Sequence, residues 1–409
     1  MTTHYDSLET RSPEQREGEL FAALPAHIAH AKGNAPYFAT LLADVNPREI
    51  ASRKALATLP VTRKSDLVEL QKQRLPFGGL NAIGPGRLAR LFVSPGPIYD
   101  VEGTGIDFWR TARAMYAAGF RAGDIVHNTF SYHLTPAGSM FETGAHALGC
   151  AVIPAGTGQT EMQVATINAL KPNAYAGTPS FLKMLFEKAD ELGGEIGSIR
   201  KAIVSGEAFL APAREFIKAR GVEAYQTYGS ADLGIIAYES VAREGLILDE
   251  KIIVEIVRPG SGEPVADGEV GEVVVTTFNR DYPLIRFATG DLSAVLAGTS
   301  PCGRTNIRIK GWMGRADQTT KVRGMFVHPH QIAEIIKRHP AIHKARLTVS
   351  HVDSADAMLL SCETTEALDM EAVKNSIRDV TKLRGEVELV AKGALANDGK
   401  VIEDCRVYT

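Results

Sequence analysis

Five short stretches of this sequence hold side chains whose types and spacing can do chemistry. Ser205-Gly206-Glu207 follows the apolar run Lys201–Val204. A Ser-Gly turn at the carboxyl end of a parallel strand is where α/β folds receive ligands, although any strand-to-helix turn reads the same way. Tyr225-Gln-Thr-Tyr-Gly-Ser-Ala-Asp232 offers an aromatic face, a glycine and a carboxylate in quick succession. An aromatic can stack on a purine, a glycine admits close approach, and a carboxylate can hold Mg²⁺; a core tyrosine and a helix-capping aspartate would leave the same pattern. Leu284-Ile-Arg-Phe-Ala-Thr-Gly-Asp291 places a carboxylate directly after a strand, where it can accept both hydrogen bonds of a ribose diol or simply close a β-turn. The stretch Gly314 to Pro329 contains two arginines, a lysine and an aspartate between glycines. It is cationic enough for phosphates and flexible enough for a hinge, and equally fits a solvated charged loop. Near the end of the chain, Lys400 sits on the glycine turn Asn397-Asp-Gly-Lys400 before a short apolar run.

The elements that must position these groups change character along the chain. Residues 14–44 read as helix, turn, helix, with Leu20, Leu24, Ile28 and Ala29 at helical spacing before Gly33 and Pro36 break the pattern. Thr62 to Gln73 reads as a further short helix. From about residue 90 short apolar runs alternate with amphipathic stretches. The runs are Leu91–Ser94, Ile125–Thr129, Ala151–Pro154, Asn173–Gly177, Lys201–Ser205 and Ala224–Tyr228; the stretches include Phe108–Ala118, Thr160–Leu170, Ser180–Leu192 and Ala211–Ala219. That rhythm predicts an α/β region with a largely parallel sheet. Near residue 245 the texture becomes β-rich, with Lys251–Val257 and Glu272–Thr277 joined by the turn-forming Pro259-Gly-Ser-Gly-Glu-Pro264, as in a meander or small barrel. Gly311–Gly324 has little hydrophobic periodicity and reads as a linker. Beyond it the pattern predicts helix His330–Arg338, strands Ala345–Ser350 and Met358–Cys362, helix Leu368–Leu383 and strand Glu386–Val390, a small α+β domain.

Composition bounds the function. The 409 residues suit two or three domains, and 44% hydrophobic with 23% charged residues is ordinary for a globular chain. Forty-five basic against 48 acidic residues leave a net charge of −3, which gives no electrostatic reason to expect nucleic acid or an anionic membrane as partner. No apolar run approaches the ~20 residues of a membrane span, and the polar segment Met1–Glu19 lacks the apolar centre of a signal peptide, so a cytoplasmic protein is expected. Cys150, Cys302, Cys362 and Cys405 lie far apart, without metal-ligand spacing, and read as inert thiols.

Taken in order, the five stretches resemble the AMP-forming adenylate-forming superfamily of acyl-CoA synthetases, and within it the phenylacetate–CoA ligase family. The resemblance covers nearly the whole chain. It includes Asn34-Ala-Pro-Tyr-Phe, Leu59-Pro-Val-Thr-Arg-Lys-Ser-Asp-Leu, Tyr132–Cys150 with its closing Ala-Leu-Gly-Cys, Gly177-Thr-Pro-Ser and Leu284-Ile-Arg-Phe. It implies an α/β protein with a large N-terminal domain of mixed sheets and helices over 1–313, a β-barrel-like part at about 245–310, a hinge over 314–324, and a small mobile α+β domain over 325–409. The function implied is activation of a carboxylic acid, aryl or arylacetic, by ATP and Mg²⁺, followed by acyl transfer to coenzyme A. Carried over by position, Ser94 and Gly96 belong to the phosphate loop. Ser205, Gly206, Glu207 and Gly229 line the adenosine pocket, and Tyr228 stacks on adenine. Asp232 sits at the Mg²⁺ position, Asp291 binds ribose and Arg315 faces phosphate. Asp317 is the hinge and Lys400 the adenylation lysine. Phe130, Tyr132, His133 and Phe141 line the acid pocket, although an apolar core face fits each of them as well. A homodimer is implied by the family alone.

Three departures stand out. The family's phosphate loop reads Ser-Ser-Gly-Thr-Thr-Gly with a following lysine; here the aligned stretch is Val93-Ser-Pro-Gly-Pro-Ile-Tyr-Asp-Val-Glu102. Pro95 and Pro97 remove backbone N–H donors of the kind that cradle phosphates, and Asp100 adds a negative charge where triphosphate should lie. The family's Thr-Glu is Ala231-Asp232, a carboxylate shortened by one methylene. Where some members carry structural zinc, the matching positions are Ser240, Ile247, Ser300 and Cys302, a set that leaves one ligand type and predicts no zinc. A catalytically reduced homologue that binds nucleotide or acyl-CoA, or an adenylating enzyme with an amine acceptor, stands beside the ligase as the alternative.

Overall fold

The computed structural model describes residues 3–94, 96–316, 318, 320–323, 325–352 and 355–406; Pro95 and the expected hinge residue Asp317 lie outside them. The chain packs as two units. The first comprises Met1–Val254, Val275–Phe287 and Leu296–Trp312, and the second Glu255–Val274, Ala288–Val295 and Met313–Thr409.

The first unit is built on a sheet whose parallel half runs Glu223–Ser230, Lys201–Val204, Ala174–Gly177, Ile125–Asn128, Ala151–Pro154. These strands are short, and the inner ones are buried on both faces, as parallel strands between helical layers must be. Alternate side chains serve opposite layers because the pleat has a period of two. Ala174, Ala176 and Ile203 join one core with Trp109, Met115 and Phe141. Tyr175, Ala202, Val204 and Ala224 join the other with Leu182, Leu185 and Ile217. Beyond Glu223–Ser230 the sheet turns antiparallel through Gly234–Tyr238, Leu246–Leu248 and Arg308–Ile309.

Helices Thr160–Leu170, Pro179–Glu191 and Ala211–Ala219 connect the parallel strands. Thr178 caps the second of these by accepting from the Phe181 N–H at 3.3 Å, and Pro179 begins it where no backbone N–H is needed. The segment expected as one helix over Thr62 to Gln73 instead starts as the strand Thr62–Arg63 and becomes α-helical only at Leu67–Gln73. Tertiary pairing overrides local propensity there, since the Thr62 N–H donates to the Arg286 carbonyl at 3.0 Å. Phe108–Ala118 likewise shortens to Thr111–Ala117, and Ala137–Ala147 is a helix that the sequence reading passed over.

Strands Ile252–Val257, Gly271–Thr277 and Phe287–Ser293 lie side by side, with Thr62–Arg63 at the edge. Their order is open, where the sequence suggested a barrel-like part. The second unit also holds a sheet in the order Glu386–Val390, Ala355–Glu363, Lys344–Val352, Ile402–Asp404. Helices Pro329–Arg338 and Met370–Thr381 pack on it around Ile335, Leu347, Leu360 and Ile377. The stretch read as a linker carries a short strand, Thr320–Val322, which pairs antiparallel with Met325–Val327 just beyond it.

Candidate functional site

The register of the parallel sheet sets Gly177 beside Val204 and Val204 beside Gln226, so Thr129, Thr178, Ser205 and Thr227 all emerge at the same carboxyl edge. That edge is where an α/β sheet opens to ligands. Ser205 is held there by its hydroxyl, which donates to the Thr227 carbonyl at 3.0 Å. Glu207 accepts from the Ser180 N–H at 2.7 Å and so caps the first turn of helix Pro179–Glu191. Tyr228 lies half-buried at a register shift between Tyr228 and Gly229. Gly229 is a glycine for packing: a Cβ there would stand 2.4 Å from the Gly234 carbonyl oxygen.

The residues expected to line an acid pocket divide into two pairs. Phe130 and Phe141 are buried and stack on each other at 4.4 Å between ring centres and 17° between planes, inside the core of the first unit. Phe130 also lies 4.0 Å from the position a Gly206 Cβ would take, which puts its edge under the Ser205–Glu207 turn. Tyr132 and His133 are exposed. The Tyr132 hydroxyl accepts from Asn128 Nδ2 at 2.7 Å, and burial around it raises the phenol above its ordinary range.

The aligned phosphate loop is the tip of a tight hairpin, Arg90–Ser94 paired with Ile98–Glu102, in which Ser94 faces Ile98 and Phe92 faces Asp100. Ser94 is buried and its hydroxyl donates to the Ile98 carbonyl at 3.4 Å. Gly96 is at the turn, where a Cβ would press on Ile98 at 2.8 Å. Asp100 is a correction to the sequence reading. It does not project from a loop but sits on a strand at 1% exposure. Burial first, then the neighbouring Asp232 carboxylate, push its carboxyl well above the usual range, with Ser94 and Lys64 pulling the other way.

Asp232 has a fully buried side chain whose Oδ2 lies 2.6 Å from the Lys64 ammonium. Lys64 comes from the Leu59-Pro-Val-Thr-Arg-Lys motif, and the sequence reading gave it no role. The only signal available was a lysine inside a motif shared with a family. Arg286, from Leu284-Ile-Arg-Phe, is the second omission. It is almost wholly buried, and its guanidinium donates to the Ala57 and Leu59 carbonyls, fastening the segment that leads into Lys64.

Whether these residues suit Mg²⁺ is a question of ligand number. Magnesium takes six oxygens in near-octahedral array. Here one Asp232 oxygen is committed to an ammonium, Asp100 is the one other acid next to it, and no group of three or more His, Cys, Asp or Glu converges among the described residues. The protein's own residues do not fit a resident divalent ion at Asp232.

The second unit holds the remaining expected site residues. Asp291 pairs with Arg315 through an isolated antiparallel bridge and an ion pair of 2.9 Å. Lys400 is exposed, and its ammonium lies 2.6 Å from Glu403, whose hydrogen bond raises the lysine above its ordinary value. Gly399 beside it has φ +73°, and a Cβ there would meet Val270 at 2.8 Å and Leu292 at 3.2 Å. Gln318 donates to the Gly399 carbonyl at 2.9 Å, and Arg346 donates to the Lys400 carbonyl at 3.2 Å, so the lysine turn is fastened to Gln318 and to strand Lys344–Val352.

The four positions matched to a zinc site do gather in the first unit. Cys302 Sγ lies 3.1 Å from the Ser300 hydroxyl in a shared hydrogen bond and receives one from Arg304 at 3.5 Å, and Ile247 packs in the adjoining core. Burial raises the thiol, but the hydrogen bonds from Ser240, Ser300 and Arg304 outweigh it and leave Cys302 below its ordinary value.

Comparison with known proteins gives concordant results. The family described as AMP-binding enzyme matches residues 107–279. A phenylacetate–coenzyme A ligase of Aromatoleum evansii is 30% identical over 354 residues, covering 82% of this chain and 79% of the relative. One from Thermus thermophilus is 29% identical, covering 91% and 86%. One from Pseudomonas putida is also 29% identical, covering 98% and 96%. Among solved structures, a 2-hydroxyisobutyryl-CoA ligase in its postadenylation state superposes with a TM-score of 0.73 at 23% identity, over 98% of this chain and 92% of that one; this likeness is one of fold. Among the described residues no helix is long and apolar enough to cross a membrane.

Proposed function

Because this chain belongs to the phenylacetate–coenzyme A ligase family, we propose that it activates a carboxylic acid with ATP as the acyl-adenylate and passes the acyl group to the thiol of coenzyme A. The observation that carries the reading is family membership across most of the chain, joined to a sheet edge that gathers Ser205, Gly206 and Tyr228. An aryl or arylacetic acid is the substrate class proposed. Support comes from the names of the relatives and from the stacked Phe130–Phe141 pair beneath the Ser205–Glu207 turn.

In this reading a carboxylate oxygen attacks the α-phosphorus, the bond to the β-phosphate breaks, and pyrophosphate leaves. The thiol sulfur, its proton lost, then attacks the acyl carbon and AMP departs with the C–O bond electrons. The Ser205–Glu207 turn and Tyr228 would receive the adenosine, Asp291 the ribose hydroxyls and Arg315 a phosphate oxygen. Lys400 would neutralise charge as pyrophosphate forms, a role that fits a lysine on an exposed, glycine-supported turn. The residues around 314–324, with Asp317, would serve as the hinge between half-reactions, and a homodimer remains part of the proposal.

The test is a panel of aromatic and aliphatic acids with ATP, Mg²⁺ and coenzyme A. AMP and acyl-CoA should form together and only when all substrates are present. A second reading, a nucleotide-binding homologue without turnover, is favoured by the hairpin at Ser94, whose buried Asp100 replaces the cationic loop of the family. Nucleotide binding by calorimetry with no AMP formed from any acid would select it.

A further inference from the structure

The Asp100–Asp232 pocket is short of hydrogen bonds in an informative way. Asp100 Oδ1, Asp100 Oδ2 and Asp232 Oδ1 are buried and no well-formed hydrogen bond reaches them; Asp232 Oδ2 has the Lys64 ammonium at 2.6 Å and the Ser230 hydroxyl at 3.3 Å. Two carboxyl groups in so dry a place call for a cation. Tyr282, fully buried nearby, offers none. The side chain that supplies it is Lys64, which keeps 27% exposure while Asp232 has none, so the ammonium closes the pocket from its open side.

Its placement is built in. Arg286 grips the carbonyls of Ala57 and Leu59, and the Thr62 N–H bonds to the Arg286 carbonyl, so the backbone arrives at Lys64 already fixed. The lysine then occupies the carboxylate oxygen that a metal ion would need.

We infer that Lys64 is the resident cation of this pocket, and that it and a divalent metal ion are alternatives at Asp232, with the lysine excluding the metal. The inference draws on the proposed function only for the idea that Asp232 faces the nucleotide; the competition is a property of the free protein. Any divalent ion needed for turnover would enter on the nucleotide phosphates and not through Asp232.

The experiment is Mn²⁺ binding to the protein alone, without nucleotide, acid or coenzyme A, followed by electron paramagnetic resonance and by thermal melting with and without the ion. Wild type should bind Mn²⁺ weakly at this site and show no melting shift. Lys64→Met should bind at least about tenfold more tightly, since a buried carboxylate pair then lacks its counter-charge, and Mn²⁺ should raise its melting temperature. Asp232→Asn in the Lys64→Met background should abolish the gain. Lys64→Gln, which still donates to Asp232 but carries no charge, should behave like Lys64→Met and keeps the test open where the methionine variant fails to fold. Equal Mn²⁺ affinity in wild type and in the folded Lys64 variant, or tight binding by wild type that Asp232→Asn removes, overturns the inference. Neither result depends on whether the protein turns over any acid, so a failed ligase assay leaves this test standing.

Discussion

Arg315 holds Asp291 by a 2.9 Å ion pair and by a backbone bridge, although the sequence suggested separate duties on phosphate and ribose. The pair presents a carboxylate already oriented and a guanidinium half-exposed beside it. A nucleotide that used both would meet a ribose acceptor and a phosphate donor set at fixed spacing. Asp291→Ala should therefore weaken AMP binding by roughly 2–3 kcal/mol, the range for hydrogen bonds to a charged group. Calorimetry on the folded variant checks this, and unchanged AMP affinity removes Asp291 from the site.

Lys400→Ala should slow acyl-adenylate formation by about 10²–10³-fold, the usual effect of losing one charge-stabilising contact. Thioester formation from a supplied acyl-adenylate should stay nearly intact, because in the proposed alternation the lysine is withdrawn by then. Rapid-quench measurement of the two half-reactions separates them. Equal slowing of both, or of neither, would mean that Lys400 is ordinary surface paired to Glu403.

The Ser94 hairpin predicts an order of affinities. Pro97 lacks the N–H that a phosphate cradle uses, and the Ser94 hydroxyl is turned to Ile98. AMP or an acyl-adenylate analogue should bind more tightly than ATP in parallel titrations with Mg²⁺ present. Clearly tighter ATP binding would assign the phosphates to other groups, Arg315 first.

His27 sets an acid limit on stability. It is buried against Phe278, and burial, then the charges of His30 and Arg280, lower it from 6.5 to about 4. The unfolded chain therefore binds a proton before the native one does. Stability that is complete above pH 6.5 should fall as pH drops toward about 4, by roughly 3 kcal/mol in all. His27→Leu should flatten that limb of the denaturation profile measured between pH 4 and 7; an unchanged slope rejects the assignment.

Glu9 is wholly buried between two arginines, Arg304 at 3.0 Å and Arg113 at 3.2 Å. Glu9→Ala leaves two guanidiniums short of a counter-charge and should cost about 3–5 kcal/mol in urea unfolding. Glu19→Ala, which removes an exposed partner of Arg11, should leave the urea midpoint nearly unchanged.

Much of the scaffold is legible in the sequence. Helices Thr160–Leu170 and Ala211–Ala219 and strand Ala151–Pro154 have the boundaries their patterns suggested. Apolar periodicity and flanking glycines are local signals, and these elements obey them. Ser205 and Glu207 follow strand Lys201–Val204 as read, because a strand followed by a turn is legible in sequence, whereas Tyr228 lies inside strand Glu223–Ser230, two residues before its end. The strands Thr320–Val322 and Met325–Val327 were not legible, since three residues carry no periodicity. Ile98–Glu102 was hidden because Val93–Glu102 was read as a phosphate loop. The Lys64–Asp232 pair spans 168 positions, and no local pattern marks which lysine will meet which aspartate.

The clamp on the N-terminal segment has a consequence in time. Ala57 and Leu59 wait for Arg286, Arg16 for Glu250, and Glu9 for Arg304. At roughly 5–20 residues per second of synthesis, the first sixty residues emerge on the order of ten to fifty seconds before their partners. Throughout that interval helix Pro13–Asn34, which carries Phe21, Leu24 and Ile28, has only its near neighbours such as Pro36–Leu41 and Pro47–Glu49 to pack against. The start of the chain thus waits long for its distant partners, and its birth order makes it a segment in need of an escort.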